Sequence, residues 1–123
     1  MPARMLVSVV DDDQSVRESL PDLLRELGYA AQAFSSAEEF LNSDALRRTG
    51  CLILDIAMPG MSGPELQGEL CVRGHKIPIV FITANENETM RARMLARGAA
   101  ECLFKPFSEK TLIDALHAAL RRN

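Results

Sequence analysis

Five short apolar runs of strand type, each followed by an amphipathic stretch of helical period, are what most restrict the folds open to this chain. The runs are "RMLVSVV" (4–10), "YAAQAF" (29–34, the weakest), "CLIL" (51–54), "IPIVFIT" (77–83) and "ECLF" (101–104). Between them the apolar period lengthens to that of a helix, predicting helices over 15–27, from Ser35 or Ser36 to Arg48, over 62–73, over 86–97 and over 108–122. Gly28, Gly74 and Gly98 stand where the first, third and fourth should stop. Ser108 is placed to cap the last. The second carries acids in its first turn and Arg47 and Arg48 in its last, matching the helix dipole at both ends. Unbroken apolar strands are buried on both faces, which predicts a parallel sheet covered by helices on each side. With right-handed crossovers, the order (βα)₅ leads to an α/β, doubly wound, five-stranded parallel sheet with strand order 2-1-3-4-5. Pro21 falls inside the first helix, where it removes the amide that would bond to Arg17 and is expected to kink the helix.

At 123 residues the chain fits one domain, 1–123, with no repeat, low-complexity segment or linker. A formal net charge of −3 lacks the basic footprint of a chain that itself grips nucleic acid. The N-terminal apolar run is too short for a signal peptide and no stretch approaches a membrane span, so a cytoplasmic protein is expected. Cys51, Cys71 and Cys102 lack metal-ligand spacing and read as reduced thiols of the core. Phe34, Phe40, Phe81, Met94 and Leu95 are assigned to the core. His75 and His117 are assigned to the surface, and Arg91, Arg93 and Arg97 to a wet helix face.

In a doubly wound sheet, ligands bind beyond the carboxyl ends of the strands. Strand one ends in Asp11-Asp12-Asp13, strand three in Asp55, strand four in Thr83 and strand five in Lys105-Pro106. Neighbouring strands lie about 4.8 Å apart, so strands one and four flank Asp55, and Lys105 lies two strands away, about 10 Å, within reach of a long side chain. Carboxylates ~4 Å apart repel by about 4 kcal/mol per pair at an effective dielectric of 20. A divalent cation removes that repulsion, and clustered carboxylate oxygens suit Mg²⁺ (or Mn²⁺) better than zinc. Acids holding a metal, a hydroxyl and an ammonium together form an apparatus for a phosphoryl group, with Asp55 placed as the nucleophile. Each group has a plainer reading: Asp11–Asp13 as helix-capping acids, Asp13 above all, Asp55 as a turn residue before Pro59, Lys105 as a solvated charge. Their joint placement favours the site.

The pieces "VVDDD", "LILDIAMPGMSG", "FITA" and "FKPF" occur in order and on the expected elements, and over its whole length the sequence resembles the CheY-like receiver domain of bacterial two-component response regulators. "SSAEEFL" and "MLARGAAECLFKPF" are most similar to the FixJ-type subgroup, whose members usually carry a C-terminal helix-turn-helix output domain. The resemblance implies a flavodoxin-like fold and a phosphoacceptor signalling domain rather than an enzyme acting on a separate substrate. It implies that Asp55 takes a phosphoryl group from a sensor histidine kinase. It also implies that Asp12 and Asp11, with Asp55 and the Ala57 carbonyl, hold the metal, Asp11 acting through water. Thr83 and Lys105 bind the phosphoryl oxygens, and the Lys105–Pro106 bond is cis. Partners implied are the kinase and a second copy docking through the face of the fourth helix, fifth strand and fifth helix; DNA would be met only through an output domain beyond residue 123. The stop just after the fifth helix is read as truncation of a longer regulator.

Two departures stand out. The family's switch aromatic is replaced by Cys102, with Phe104 on the same strand face one step nearer the site, so the coupling from Thr83 has an unusual partner. Ala57 and Asn85 offer neither carboxylate nor bulk against attacking water, which predicts an ordinary acyl phosphate lifetime. Two other functions compete. "DDDQS" fits the nucleophile loop of haloacid-dehalogenase-type phosphatases, with Asp11 as nucleophile and Asp13 as acid/base. A receiver-like interaction module without phosphorylation is the third.

Overall fold

The computed structural model describes residues 4–121. Strands β1 (Leu6–Val10), β2 (Ala30–Phe34), β3 (Thr49–Asp55), β4 (Ile79–Thr83) and β5 (Glu101–Phe104) alternate with helices α1 (Gln14–Glu26), α2 (Ala37–Leu41), α3 (Gly63–Val72), α4 (Glu88–Ala96) and α5 (Glu109–Leu120). All strand pairs are parallel, in the order β2-β1-β3-β4-β5. Alternation along each strand divides the core in two. Val10, Leu52, Leu54, Phe81 and Cys102 face Phe40, Leu66, Leu70 and Met94 of α2, α3 and α4. Val7, Val9, Ile53, Val80, Ile82 and Leu103 face Leu20 and Leu24 of α1 and Leu112 and Leu116 of α5. The strands are therefore buried on both sides, and their hydrophobicity runs unbroken.

Helix starts are set by side chains. Asp13, Ser36, Asn87 and Ser108 each accept a backbone N–H of the first turn. Ser62 and Glu65 form a reciprocal capping box on α3. Gly28 and Gly74 follow α1 and α3 with φ of 101° and 80°, a region in which a side chain is strained. α1 runs unbroken through Pro21, which is buried.

Five expectations need correction. The second helix is not continuous to Arg48: α2 ends at Leu41 and a separate 3₁₀ turn covers Asp44–Arg47. The Ser43 hydroxyl donates back to the Phe40 carbonyl at 2.7 Å, an alternative to the helical bond that Asn and Ser readily offer. β3 begins at Thr49, before the apolar run, because Thr49 pairs with Leu6 and its hydroxyl lies 2.7 Å from that of buried Ser8. Cys71 is exposed on α3 and is not a core thiol, whereas Cys51 and Cys102 are buried. Leu95 is only half-buried, and His75 is half-buried rather than at the open surface, while His117 is exposed.

Candidate functional site

The carboxyl ends of β1, β3, β4 and β5 bring the candidate groups to one edge. Asp11 follows β1 and is fully buried, and Asp55 closes β3 and is buried. One carboxylate oxygen of each of Asp11, Asp12 and Asp55 lies within 4.8 Å of the others, and Asp12 is exposed. Lys105, which follows β5, sets its ammonium 2.8 Å from Asp11 Oδ2 and 3.9 Å from Asp55 Oδ2. Asp11 Oδ1 accepts the Asp13 N–H at 2.9 Å, and Arg17 donates to the Asp11 carbonyl at 3.0 Å. Asp11 Oδ2 accepts no hydrogen bond and is left facing the ammonium.

Burial, and then the Asp11 carboxylate, push Asp55 up to about 7, with Lys105 opposing them. Three acids and one amine thus leave the cluster over-supplied with negative charge in a low-dielectric place. Carboxylate oxygens of Asp11, Asp12 and Asp55 gathered within 4.8 Å, with one ammonium to offset them, fit a hard divalent cation. The Ala57 N–H donates to Asp55 Oδ1 at 3.4 Å. The loop then turns at Gly60 (φ 74°) and returns through the Gly63 N–H to the Ile56 carbonyl at 3.0 Å. Gly63 packs against the Asp55 and Ile56 backbone with no room for a Cβ, which seats the start of α3 against the end of β3.

Thr83 is buried, one residue beyond the Asp55–Ile82 register pair, and its hydroxyl accepts the Asn85 N–H at 3.1 Å. The Lys105 N–H donates to the Thr83 carbonyl at 2.8 Å, and the Lys105–Pro106 peptide bond is cis. Cys102 sits beside Phe81 in register and is buried, while half-buried Phe104 sits beside Thr83. Burial raises the Cys102 thiol, with Arg91 opposing. The phosphatase reading is poorly served: Asp11 has no exposed surface for a nucleophile, and Asp13 spends its carboxylate on the Ser15 N–H and hydroxyl as the cap of α1.

Sequence reasoning missed several contacts. Glu38 of α2 accepts the Met61 N–H at 3.2 Å and braces the β3–α3 loop. Arg91, expected on a wet face, reaches the Cys102 carbonyl and Glu101. Arg97, also placed there, donates to Gln67 and to the Pro64 carbonyl. Nothing local in the sequence signals these pairings. Beside the site, a groove of about 630 Å³ opens between α1 and the β5–α5 turn, lined by Val16, Leu20, Leu23, Lys105 and Phe107.

A doubly wound parallel sheet that gathers an acid cluster, a threonine and a lysine at its carboxyl edge is the arrangement of a receiver-type signalling domain. The chain belongs to the response regulator receiver domain family, whose model matches residues 7–117. It is 40% identical over 116 residues to the response regulator protein TodT of Pseudomonas putida, covering 94% of this chain and 51% of TodT. It is 38% identical over 123 residues to the transcriptional regulatory protein FixJ of Azorhizobium caulinodans, covering 100% of this chain and 58% of FixJ. The chain thus spans about half the length of relatives such as TodT. Among solved structures, the response regulator StyR superposes with a TM-score of 0.88 at 48% identity, covering 98% of this chain and 61% of StyR. The FixJ-N crystal structure superposes with a TM-score of 0.87 at 34% identity, covering 100% of this chain and 98% of that one.

Proposed function

We propose that Asp55 is the phosphoacceptor of this receiver domain, taking a phosphoryl group from a phosphohistidine on a sensor histidine kinase. The observation that carries this reading is the convergence of Asp11, Asp12 and Lys105 on Asp55 within a few ångströms. An Asp55 carboxylate oxygen forms the new P–O bond as the bond from phosphorus to the histidine nitrogen breaks. Lys105 turns its ammonium from Asp11 toward the phosphoryl oxygens, and the Thr83 hydroxyl, which accepts from Asn85, still has its own proton to donate. Asp11, Asp12, Asp55 and the Ala57 carbonyl would hold Mg²⁺ or Mn²⁺, which supplies charge neutralisation at the transferring group. Hydrolysis of the acyl phosphate returns the domain to rest, and this self-catalysed cycle is its only chemistry. The apolar groove beside Lys105 is suited to a helix of the kinase, since it lies next to the reacting edge.

Residues 1–123 form a single receiver unit in this reading. Phosphorylation shifts a conformational equilibrium that is read as homodimerisation through the α4–β5–α5 face and passed to a DNA-binding output domain outside this chain, in the cytoplasm. The chain covers 52% of TdiR and 58% of FixJ, relatives named as transcriptional regulatory proteins, which supports an output region outside this chain. Among the described residues, no helix is long and apolar enough to cross a membrane.

The test is incubation with acetyl phosphate and Mg²⁺, followed by mapping of the acyl phosphate after borohydride reduction. Label on Asp55, lost in Asp55→Asn and in chelator, is the expected result. Label retained on Asp11 in Asp55→Asn would overturn the assignment.

A further inference from the structure

β5 is the last strand of the sheet, so the outward N–H and C=O of Cys102 have no strand to bond. Side chains satisfy both. Arg91, in the first turns of α4, donates from Nε to the Cys102 carbonyl at 3.1 Å and from Nη2 to Glu101 Oε1 at 2.9 Å. The same Glu101 oxygen accepts the Cys102 N–H at 3.1 Å. Glu88, one turn earlier on α4, adds a weaker ion pair to Arg91 at 3.7 Å. A guanidinium fork and a carboxylate together stand in for a sixth strand, and both are well under half exposed.

This bridge matters because α4 has little else to hold it. Of its residues only Met94 is fully buried, with Met90, Arg91 and Leu95 partly so. Its C-terminal end is tied to α3, where Arg97 donates to Gln67 at 3.1 Å and to the Pro64 carbonyl at 3.1 Å. Its N-terminal end is tied to β5 through Arg91. That end is also joined to Thr83 by an exposed loop over 84–87. A phosphoryl group on Asp55 offers the Thr83 hydroxyl a new acceptor. Drawing Thr83 toward it pulls the loop, and with it the turn of α4 that carries Arg91.

We propose that Arg91 and Glu101 form a latch that holds the N-terminal end of α4 on the open edge of β5 and opposes the shift that modification of Asp55 demands. The inference rests on the receiver reading above, and it makes Arg91 and Glu101 positioning residues with no contact to the phosphoryl group. A contact present in the resting state and lost in the other lowers apparent affinity for any ligand that selects the other. Cys102 enters through its backbone, so the small thiol is no obstacle.

The experiment measures binding of fluoroberyllate with Mg²⁺, a mimic of the phosphoryl group, together with amide hydrogen exchange in the unliganded protein. Arg91→Ala should speed exchange over the first turns of α4, and Glu101→Ala at the Cys102 amide. Both should tighten fluoroberyllate binding about fivefold, at the low end of coupling between sites, because the pair is partly solvated. Arg91→Lys, which keeps the charge and loses the fork, should fall between, and it serves if the alanine variants fold poorly. Faster exchange with unchanged or weaker binding would reduce the bridge to a brace and overturn the latch, as would unchanged exchange. If wild-type protein binds no fluoroberyllate, the phosphoacceptor reading falls and the latch falls with it; wild-type binding without a difference in the variants removes the latch alone.

Discussion

Replacing Asp55 by asparagine should stabilise the metal-free protein, and the structure gives the size of the effect. Asp55 is buried beside the fully buried Asp11, and its carboxyl is pushed from the ordinary value of 3.8 up to about 7. Between about pH 4 and pH 7 the folded state therefore binds more protons than the unfolded state, so stability falls as pH rises through that window and is flat above it. A rise of roughly three pKa units at 1.36 kcal/mol each is about 4 kcal/mol at most; with Lys105 nearby and some relaxation, about 2 to 4 kcal/mol is expected above pH 7. Asparagine carries no charge to bury, and it leaves Asp11 Oδ2 its ion pair with Lys105 at 2.8 Å. Denaturant unfolding in chelator at pH 5 and pH 8 measures it. The variant's advantage at pH 5 should be roughly two-fifths of that at pH 8. Exposed Asp12→Asn should stay within about 0.5 kcal/mol of wild type, showing that burial is the cause. Mg²⁺ should then raise the wild type alone, by about 2.7 kcal/mol at a hundred times its Kd. An Asp55→Asn protein no more stable than wild type in chelator at pH 8 would refute the reasoning.

Three further expectations concern the scaffold. Ser62→Ala removes one half of the capping box on α3 and should cost about 1 kcal/mol in denaturant unfolding. Gly63→Ala drives a methyl group into the Asp55 carbonyl, with Ile56 Cα at 3.0 Å, so neither backbone neighbour can give way cheaply; the loss should reach about 3 kcal/mol, the upper end for overpacking, by thermal or denaturant unfolding. A thiol reagent should modify exposed Cys71 alone in the native protein, because Cys51 and Cys102 are buried and burial pushes the Cys51 thiol up to about 12; counting adducts before and after unfolding checks this.

The strand ends were legible in the sequence because a strand buried on both faces is an unbroken apolar run, and the first polar residue after it marks the sheet's carboxyl edge. Val10 then Asp11, Leu54 then Asp55, and Ile82 then Thr83 are such boundaries. The topology followed from handedness rules, and with it the meeting of Asp11, Asp55 and Lys105. What stayed illegible depends on partners distant in the chain. The start of β3 at Thr49 needs Ser8, 41 residues away, and the exposure of Cys71 needs the orientation of α3. The end of α2 at Leu41 turns on a local competition between the Ser43 hydroxyl and the helical bond, which an apolar period does not record.

The cysteine at the usual aromatic position is where sequence and structure bear on each other most. Cys102 is packed in the core that includes Phe81 and Met94. The neighbour of Thr83 across β4 and β5 is Phe104, half-buried and next to the cavity that Arg91, Cys102 and Phe107 also line. Thr83 thus has a ring directly at its side and, across the 84–87 loop, the arginine that grips the Cys102 carbonyl. Both contacts reach β5 without using the Cys102 side chain. It follows that Cys102→Ser or Cys102→Ala should alter stability through packing while leaving the difference in fluoroberyllate affinity between wild type and Arg91→Ala intact.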